Sequence, residues 1–96
     1  MNRSVVSPRA QADIVEIWDY TAERWGIDQA ELYLRRIQTS IEAAAAEPKL
    51  GTSCDHIRTG YRKYPAGSHV LFYRTLDDGI DVVRILHARM DAGRHL

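Results

Sequence analysis

The residues able to do chemistry crowd into the second half of this 96-residue chain. Arg58, Tyr61, Arg62 and Lys63 fall in one short run, Tyr73 and Arg74 in a second, and Arg84, His87 and Arg89 in a third. If those runs are neighbouring strands, about 4.8 Å apart, several of these side chains share a face. A basic face with a histidine at its end supports two kinds of work. It could cleave RNA, with His87 or a tyrosine as general base and Arg62 and Arg84 stabilising the phosphate in the transition state. It could equally grip an acidic segment of a partner protein through charge-assisted hydrogen bonds. A third reading needs no site: arginines along a solvated sheet edge and a satisfied histidine at a strand end.

Other arrangements carry less. Cys54, Asp55 and His56 are three adjacent residues that cannot converge on one ion in ordinary backbone geometry, and no second ligand cluster exists, so no metal is expected. Gly67-Ser-His69 has neither the elbow nor the acid partner of a serine hydrolase. His56 and His95 read as exposed histidines. Trp18, Tyr20, Trp25 and Tyr33 lie on helical stretches, where packing between helices and sheet is the expected role rather than base stacking.

The bulk properties narrow the choice further. With 45% hydrophobic and 27% charged residues the chain is an ordinary folded one, expected to form a single domain over residues 1–96. A chain of this length is too small for an enclosed cofactor cavity, so no cofactor is expected and a surface-acting protein is. No apolar run is long enough to span a membrane and no signal-peptide core follows Met1, which places the protein in the cytoplasm. The net charge of +0 argues against sequence-specific DNA binding by this chain alone. Residues 1–48 carry five Lys/Arg and eight Asp/Glu, residues 49–96 carry eight and five, and all four histidines are in the second half. An anionic partner would therefore be met by the second half.

The elements that must position these residues follow from period and punctuation. Ser4, Val5 and Val6 form a short strand before Ser7-Pro8, which starts a helix with Ser7 as cap and Pro8 at its first position. Positions 10, 14, 17, 18, 21 and 25, apolar except for Thr21, make one helix face, with Asp13 and other charges assigned to the rest, and Gly26 ends it. Asp28 and Glu31 have capping-box spacing for a second helix, whose apolar line runs through Ala30, Leu34, Ile37 and Ile41 to Ala44 or Ala45 before Pro48. Three strands follow. The first is Ile57 to Tyr64 with a bend at Gly60, then a turn at Pro65-Ala-Gly67, Ser68 to Thr75, an Asp-Gly hairpin, and Ile80 to His87. The order β-α-α-β-β-β predicts an α+β fold with a helical hairpin on one face of a small antiparallel sheet.

The last strand poses the central problem. It is apolar on both faces, with Ile80, Val82 and Leu86 on one and Val83 and Ile85 on the other, yet Arg84 sits inside it. A helical hairpin covers one face only, so the other should need a partner helix or strand, with acidic partner residues pairing Arg84 or Arg74. The tail from Asp91 to Leu96 lacks periodicity and is expected to be dispensable for folding.

Taken in order, Ile17-Trp18, Tyr20, Trp25-Gly26, Ala30, Tyr33, Pro48 with Gly51, Arg58-x-Gly-Tyr-Arg62, Gly67-Ser-His69, Phe72-Tyr73-Arg74, Arg84-Ile-Leu-His87 with Arg89-Met-Asp91, and His95-Leu96 resemble the ParE toxins of the RelE/ParE toxin–antitoxin superfamily. The resemblance covers nearly the whole chain and implies the same fold. It implies a bacterial toxin that inhibits DNA gyrase, blocking replication, unless a ParD-like antitoxin neutralises it. Under that reading Arg74, Val82, Arg84 and Leu86 would meet the antitoxin. Arg58, Tyr61, Arg62, His87, Arg89, Met90, Arg94 and His95 would meet the target, and trimming Asp91 to Leu96 should relieve toxicity. RelE relatives instead cleave mRNA on the ribosome, which here would rest on Arg62, Arg84 and His87. No tyrosine follows His87 and Lys63 is the only strand lysine, which favours the gyrase inhibitor. A family member kept only to bind an antitoxin is the remaining alternative.

Overall fold

The computed structural model describes residues 2–96. β1 (Arg3–Val6) leads into α1 (Pro8–Trp25) and α2 (Ile27–Ala46), followed by a 3-10 turn (Pro48–Leu50), β2 (Thr52–Ser53), β3 (Tyr61–Ala66), β4 (His69–Leu76), β5 (Gly79–His87) and α3 (Ala92–His95). The sheet order is β1-β5-β4-β3-β2, antiparallel except that β1 runs parallel to β5. The fold is the expected α+β one, with a mixed sheet of five strands in place of a purely antiparallel one.

Ser7 caps α1 as anticipated, its Oγ accepting the Ala10 N–H at 3.1 Å, with Pro8 at the first position. Gly26, at φ 94°, ends α1. The capping box at Asp28 and Glu31 does not form. A single residue separates the helices, so Gly26 also begins α2 and its carbonyl accepts the Ala30 N–H, leaving Asp28 already helical. Glu31 pairs with Arg35 one turn on instead.

The helices lay Ala10, Ile17, Ile37 and Ile41 over Leu71, Tyr73, Ile80, Val82 and Ile85 of the sheet. Tyr73 is the largest of the fully buried side chains. Its hydroxyl donates to Pro48 O at 2.6 Å and accepts the Gly51 N–H at 3.0 Å, tying the turn after α2 to the centre of the sheet. Burial pushes its pKa up, so the group stays a donor. A side chain at Gly51 would land on that hydroxyl. Tyr73→Phe leaves both backbone groups without a partner, and urea unfolding should show a loss of about 1–3 kcal/mol.

Three boundaries differ from the sequence reading. Residues 57–60 form a turn rather than the start of a strand, because Cys54 O accepts the Ile57 and Arg58 N–H groups and the Asp55 carboxylate takes the Gly60 N–H. Pro65 belongs to β3 and the turn is Gly67-Ser68, since Ala66 pairs with His69. Beyond the two residues of β2, β3 is an edge, where proline's missing N–H costs nothing.

The third is a β-bulge. Phe72 pairs with Arg84 while Tyr73 pairs with Val82, so Val83 is the extra residue and the alternation of β5 changes phase. Ile85 therefore joins Ile80 and Val82 under the helices, and Leu86 goes to the opposite face, the reverse of strict alternation. That second face is finished by the chain itself. Cys54, Phe72 and Leu86 form a small core covered by Ile57, Tyr61, Val70, Ala92 and Leu96. The tail is thus a packed element, and it covers the face for which a partner helix or strand was expected.

Candidate functional site

α1 positions one carboxylate that strict patterning assigned to the solvent. Asp13 lies between Ala10 and Ile17 on the buried stripe and is only 8% exposed. Its Oδ2 accepts the Arg84 Nε–H at 2.8 Å and the Ile85 N–H at 2.9 Å, and its Oδ1 accepts Arg84 Nη2 at 2.9 Å. Arg84 Nη1 donates to His95 O at 2.9 Å. β1 ends at Val6, and beyond it Ser7 Oγ and Asp13 take up the free edge of β5, donating to Val83 O and accepting from Ile85 N respectively. The hydrogen bond from Arg84 to Asp13 holds the guanidinium above its ordinary pKa, so the charge is fixed.

This geometry corrects three of the expected antitoxin contacts. Arg84 is consumed internally, Val82 is fully buried under the helices, and Leu86 lies inside the second core at 2% exposure. Arg74 remains accessible but already pairs with Asp81 at 2.6 Å. The residues assigned to target contact separate into groups. Arg58 and Tyr61 share a cation–π contact near the β3 start, and Arg62 donates to Gly51 O at 2.7 Å. His87, Arg89 and Met90 are at the other end of the sheet, since Tyr61 pairs with Arg74 whereas Ala66 pairs with His69 and His69 with His87. Arg94 is exposed on α3, where the His95 carbonyl serves Arg84. Arg62, Arg84 and His87 therefore do not converge: Arg62 and His87 are two strands and about four residues of strand length apart, a separation on the order of 15 Å.

A groove runs between the second half of α1 and the end of the β4–β5 pair. One part, about 400 Å³, is lined by Asp13, Glu16, Tyr20, His69, His87 and Met90 among others. The other, about 360 Å³, is lined by Tyr20, Trp25, Gln29, Tyr33, Ser68, His69 and His87. Tyr20 and Trp25 are 57% and 60% exposed, contrary to the packing role expected of them, and Arg24 sits 5.3 Å from each ring centroid. On the groove floor Tyr33 Oη is 2.5 Å from His69 Nδ1, and the His69 and His87 rings meet edge to face at 5.3 Å. Burial, and after it His87, lowers the His69 pKa, with Asp13 acting the other way. Among the described residues no group of three or more His, Cys, Asp or Glu is placed to hold a metal, and no helix is long and apolar enough to cross a membrane.

Sequence reasoning missed Asp13 and the Tyr33–His69 pair. A signal for the first existed: positions 10, 13, 14 and 17 are one helical stripe, and an acid on it matches an arginine in an apolar strand. No comparable signal marked Tyr33 and His69, which are brought together only by the turn at Gly67-Ser68, whose Ser68 N–H donates to Tyr33 Oη.

Comparison with known proteins agrees with the fold and extends it. Residues 5–92 match the family described as the ParE toxin of the type II toxin–antitoxin system parDE. The chain is 59% identical over 96 residues to Toxin ParE1 of Mycobacterium tuberculosis, covering 99% of this chain and 98% of that protein. It is 43% identical over 91 residues to Toxin ParE1 of Caulobacter vibrioides, covering 95% and 94%. A solved structure titled chromosomal ParDE TA system from P. aeruginosa superposes with a TM-score of 0.77 at 18% identity, over 91% of this chain and 96% of that one, which speaks to the fold. The chain belongs to the ParE toxin family of type II toxin–antitoxin systems.

Proposed function

We propose that the protein is a non-enzymatic toxin of the cytoplasm that inhibits DNA gyrase by surface contact, and that a ParD-like antitoxin holds it inactive by covering the groove beside α1. The observation that supports a binding mode over catalysis is the state of Arg84. Three N–H groups of its guanidinium are held by Asp13 and the His95 carbonyl and the residue is only 8% exposed, which turns it away from a phosphate at the surface, and Arg62 is too distant from His87 to replace it. Exposed Tyr20, Arg24 and Trp25 supply the residue types that dominate binding at protein interfaces, flanking a groove deep enough for a partner segment. Arg58, Arg89, Met90 and Arg94 remain exposed and free to meet the target. Purified protein at a stoichiometric excess should block supercoiling by gyrase, and the antitoxin should restore it. Unimpaired supercoiling would overturn the assignment of target.

One observation keeps ribosome-dependent mRNA cleavage as the second reading: His69, His87 and Tyr33 are close enough to act as an acid–base set without Arg84. Primer extension on cellular mRNA after induction would then show codon-positioned cuts that are lost in His87→Ala.

A further inference from the structure

The two histidines on the groove floor are not equivalent to a pair of free imidazoles, because their hydrogen bonds decide which nitrogen faces outward. His87 Nδ1 accepts the Arg89 N–H at 3.1 Å, and a backbone amide can only donate, so the proton of the neutral ring is on Nε2. Tyr33 Oη accepts the Ser68 N–H and has one proton to give. Ala66 O lies at 3.5 Å, the limit of hydrogen bonding, whereas His69 Nδ1 lies at 2.5 Å, so the phenol donates to the ring and the His69 proton is on Nε2 as well. Among the described residues no buried side-chain nitrogen lacks a partner, and neither Nε2 has one within the chain, so both Nε2–H groups are accessible, on residues that line the groove. A metal ion would need the lone pairs these protons occupy. An oxygen acceptor needs the protons themselves.

We propose that this floor is a carboxylate-recognising site, in which an Asp or Glu side chain of the antitoxin segment enters beside Tyr20 and Trp25 and accepts the Nε2–H donors of His69 and His87. The inference rests on the groove being the antitoxin surface. Charge favours a carboxylate over a neutral acceptor in this part of the groove. No acid lines it, and the Arg24 guanidinium is held on its outer rim against the Tyr20 and Trp25 rings. Asp13 and Glu16 line the adjoining part, and Asp13 is already neutralised by Arg84.

The two rings respond differently to a bound anion. His69 can take a second proton on Nδ1, because Tyr33 then accepts from it and turns its own hydroxyl to Ala66 O. The His87 Nδ1 is instead occupied by the Arg89 N–H. The groups facing His69 are Asp13 and Glu16 from α1, Tyr33 from α2, and Arg84 and His87 from β5. Burial and His87 lower the pKa of the ring in the free protein, and a seated carboxylate favours the imidazolium. Binding should therefore take up a proton at His69, and affinity should rise as pH falls through the window between the bound and free pKa values. It should level off once pH is below the free value, which lies under the ordinary histidine value of about 6.5.

The test is titration calorimetry of the full chain with its purified ParD-like antitoxin, at pH 6 and pH 8, in buffers of different ionisation enthalpy. The expected result is net proton uptake and tighter binding at pH 6. His87→Leu should weaken binding about tenfold, while His87→Gln, whose side-chain amide reaches the Nε2 position, should retain most of the affinity. His69→Phe should abolish the proton uptake. Each variant is first shown to keep the unfolding midpoint of the unsubstituted protein, and one that does not is replaced by neutralising the acidic residues of the antitoxin one at a time. Tight binding that is unaffected by these changes and by pH would overturn the carboxylate site while leaving the antitoxin reading intact. No binding under any condition would overturn both.

Discussion

Replacing Asp13 with alanine should cost about 3–5 kcal/mol of folding stability, the largest effect expected of any single substitution in the helices. The change removes three acceptor contacts at once and leaves Arg84, 8% exposed, as a buried charge with only the His95 carbonyl as partner. The Ile85 N–H also loses its acceptor at the edge of β5. Total stability for such a chain is on the order of 5–15 kcal/mol, so the variant should sit near the threshold of folding. The control is the double replacement Asp13→Leu with Arg84→Met. Removing both charges should recover most of the loss, since the desolvation of each ion disappears along with their attraction. Urea unfolding of these proteins together with the single replacements Asp13→Leu and Arg84→Met gives the coupling energy. A loss below about 1 kcal/mol for Asp13→Ala would show the pair to be effectively solvated.

Deleting Asp91 to Leu96 should be the next most damaging change, at about 3 kcal/mol. It strips Ala92 and Leu96 from Phe72 and Leu86 and removes the carbonyl that receives Arg84 Nη1. A partly buried leucine accounts for about 1.5 kcal/mol of that and the charged hydrogen bond for about 1.5 or more. Such a truncation would mix a loss of stability with any loss of target contact, which makes it a poor probe of the latter. Arg94→Ala is the better one. That side chain is 83% exposed and pairs only loosely with Asp91, at 3.8 Å, so its loss should leave the urea midpoint unchanged. Thermal or urea melts of both variants beside a supercoiling assay would separate the two causes.

The helices were legible because their period and punctuation agree: Ser7-Pro8 starts one, Gly26 divides them, and Ala30, Ile37 and Ile41 fall on the stripe that is buried. The hairpins were legible from Gly67 and from Asp-Asp-Gly79, although the first turn is Gly67-Ser68 rather than Pro65 to Gly67. What failed depended on pairs far apart in sequence. The bulge at Val83 is set by register against Tyr73, and an alternation rule applied to β5 alone places Ile85 and Leu86 on the wrong faces. The tail carries too few residues to show a period, yet its contacts with Phe72 and Leu86 make it part of the fold. The candidate site suffered the same way. His87 was visible as a histidine ending a strand, whereas its pairing with His69, and that of His69 with Tyr33, requires the register of β4 on β5 and the position of α2. Tyr20 and Trp25 were read as packing residues because the pattern of α1 gives no sign that the sheet ends before reaching them.

The line from Asp13 through Arg84 to His95 also sets the order of events during synthesis. Its first member is made early, its second 71 residues later, and its last is the penultimate residue of the chain. β1 likewise waits for β5 before it has a neighbour. None of these contacts can close while the final residues are still inside the ribosome, so the nascent chain emerges with α1 and α2 lacking their sheet. Ribosome-stalled chains ending near residue 90 should remain sensitive to protease, and released full-length chains should not. The sheet that the helical hairpin needs is therefore supplied only once β5 and the residues around His95 are clear of the ribosome.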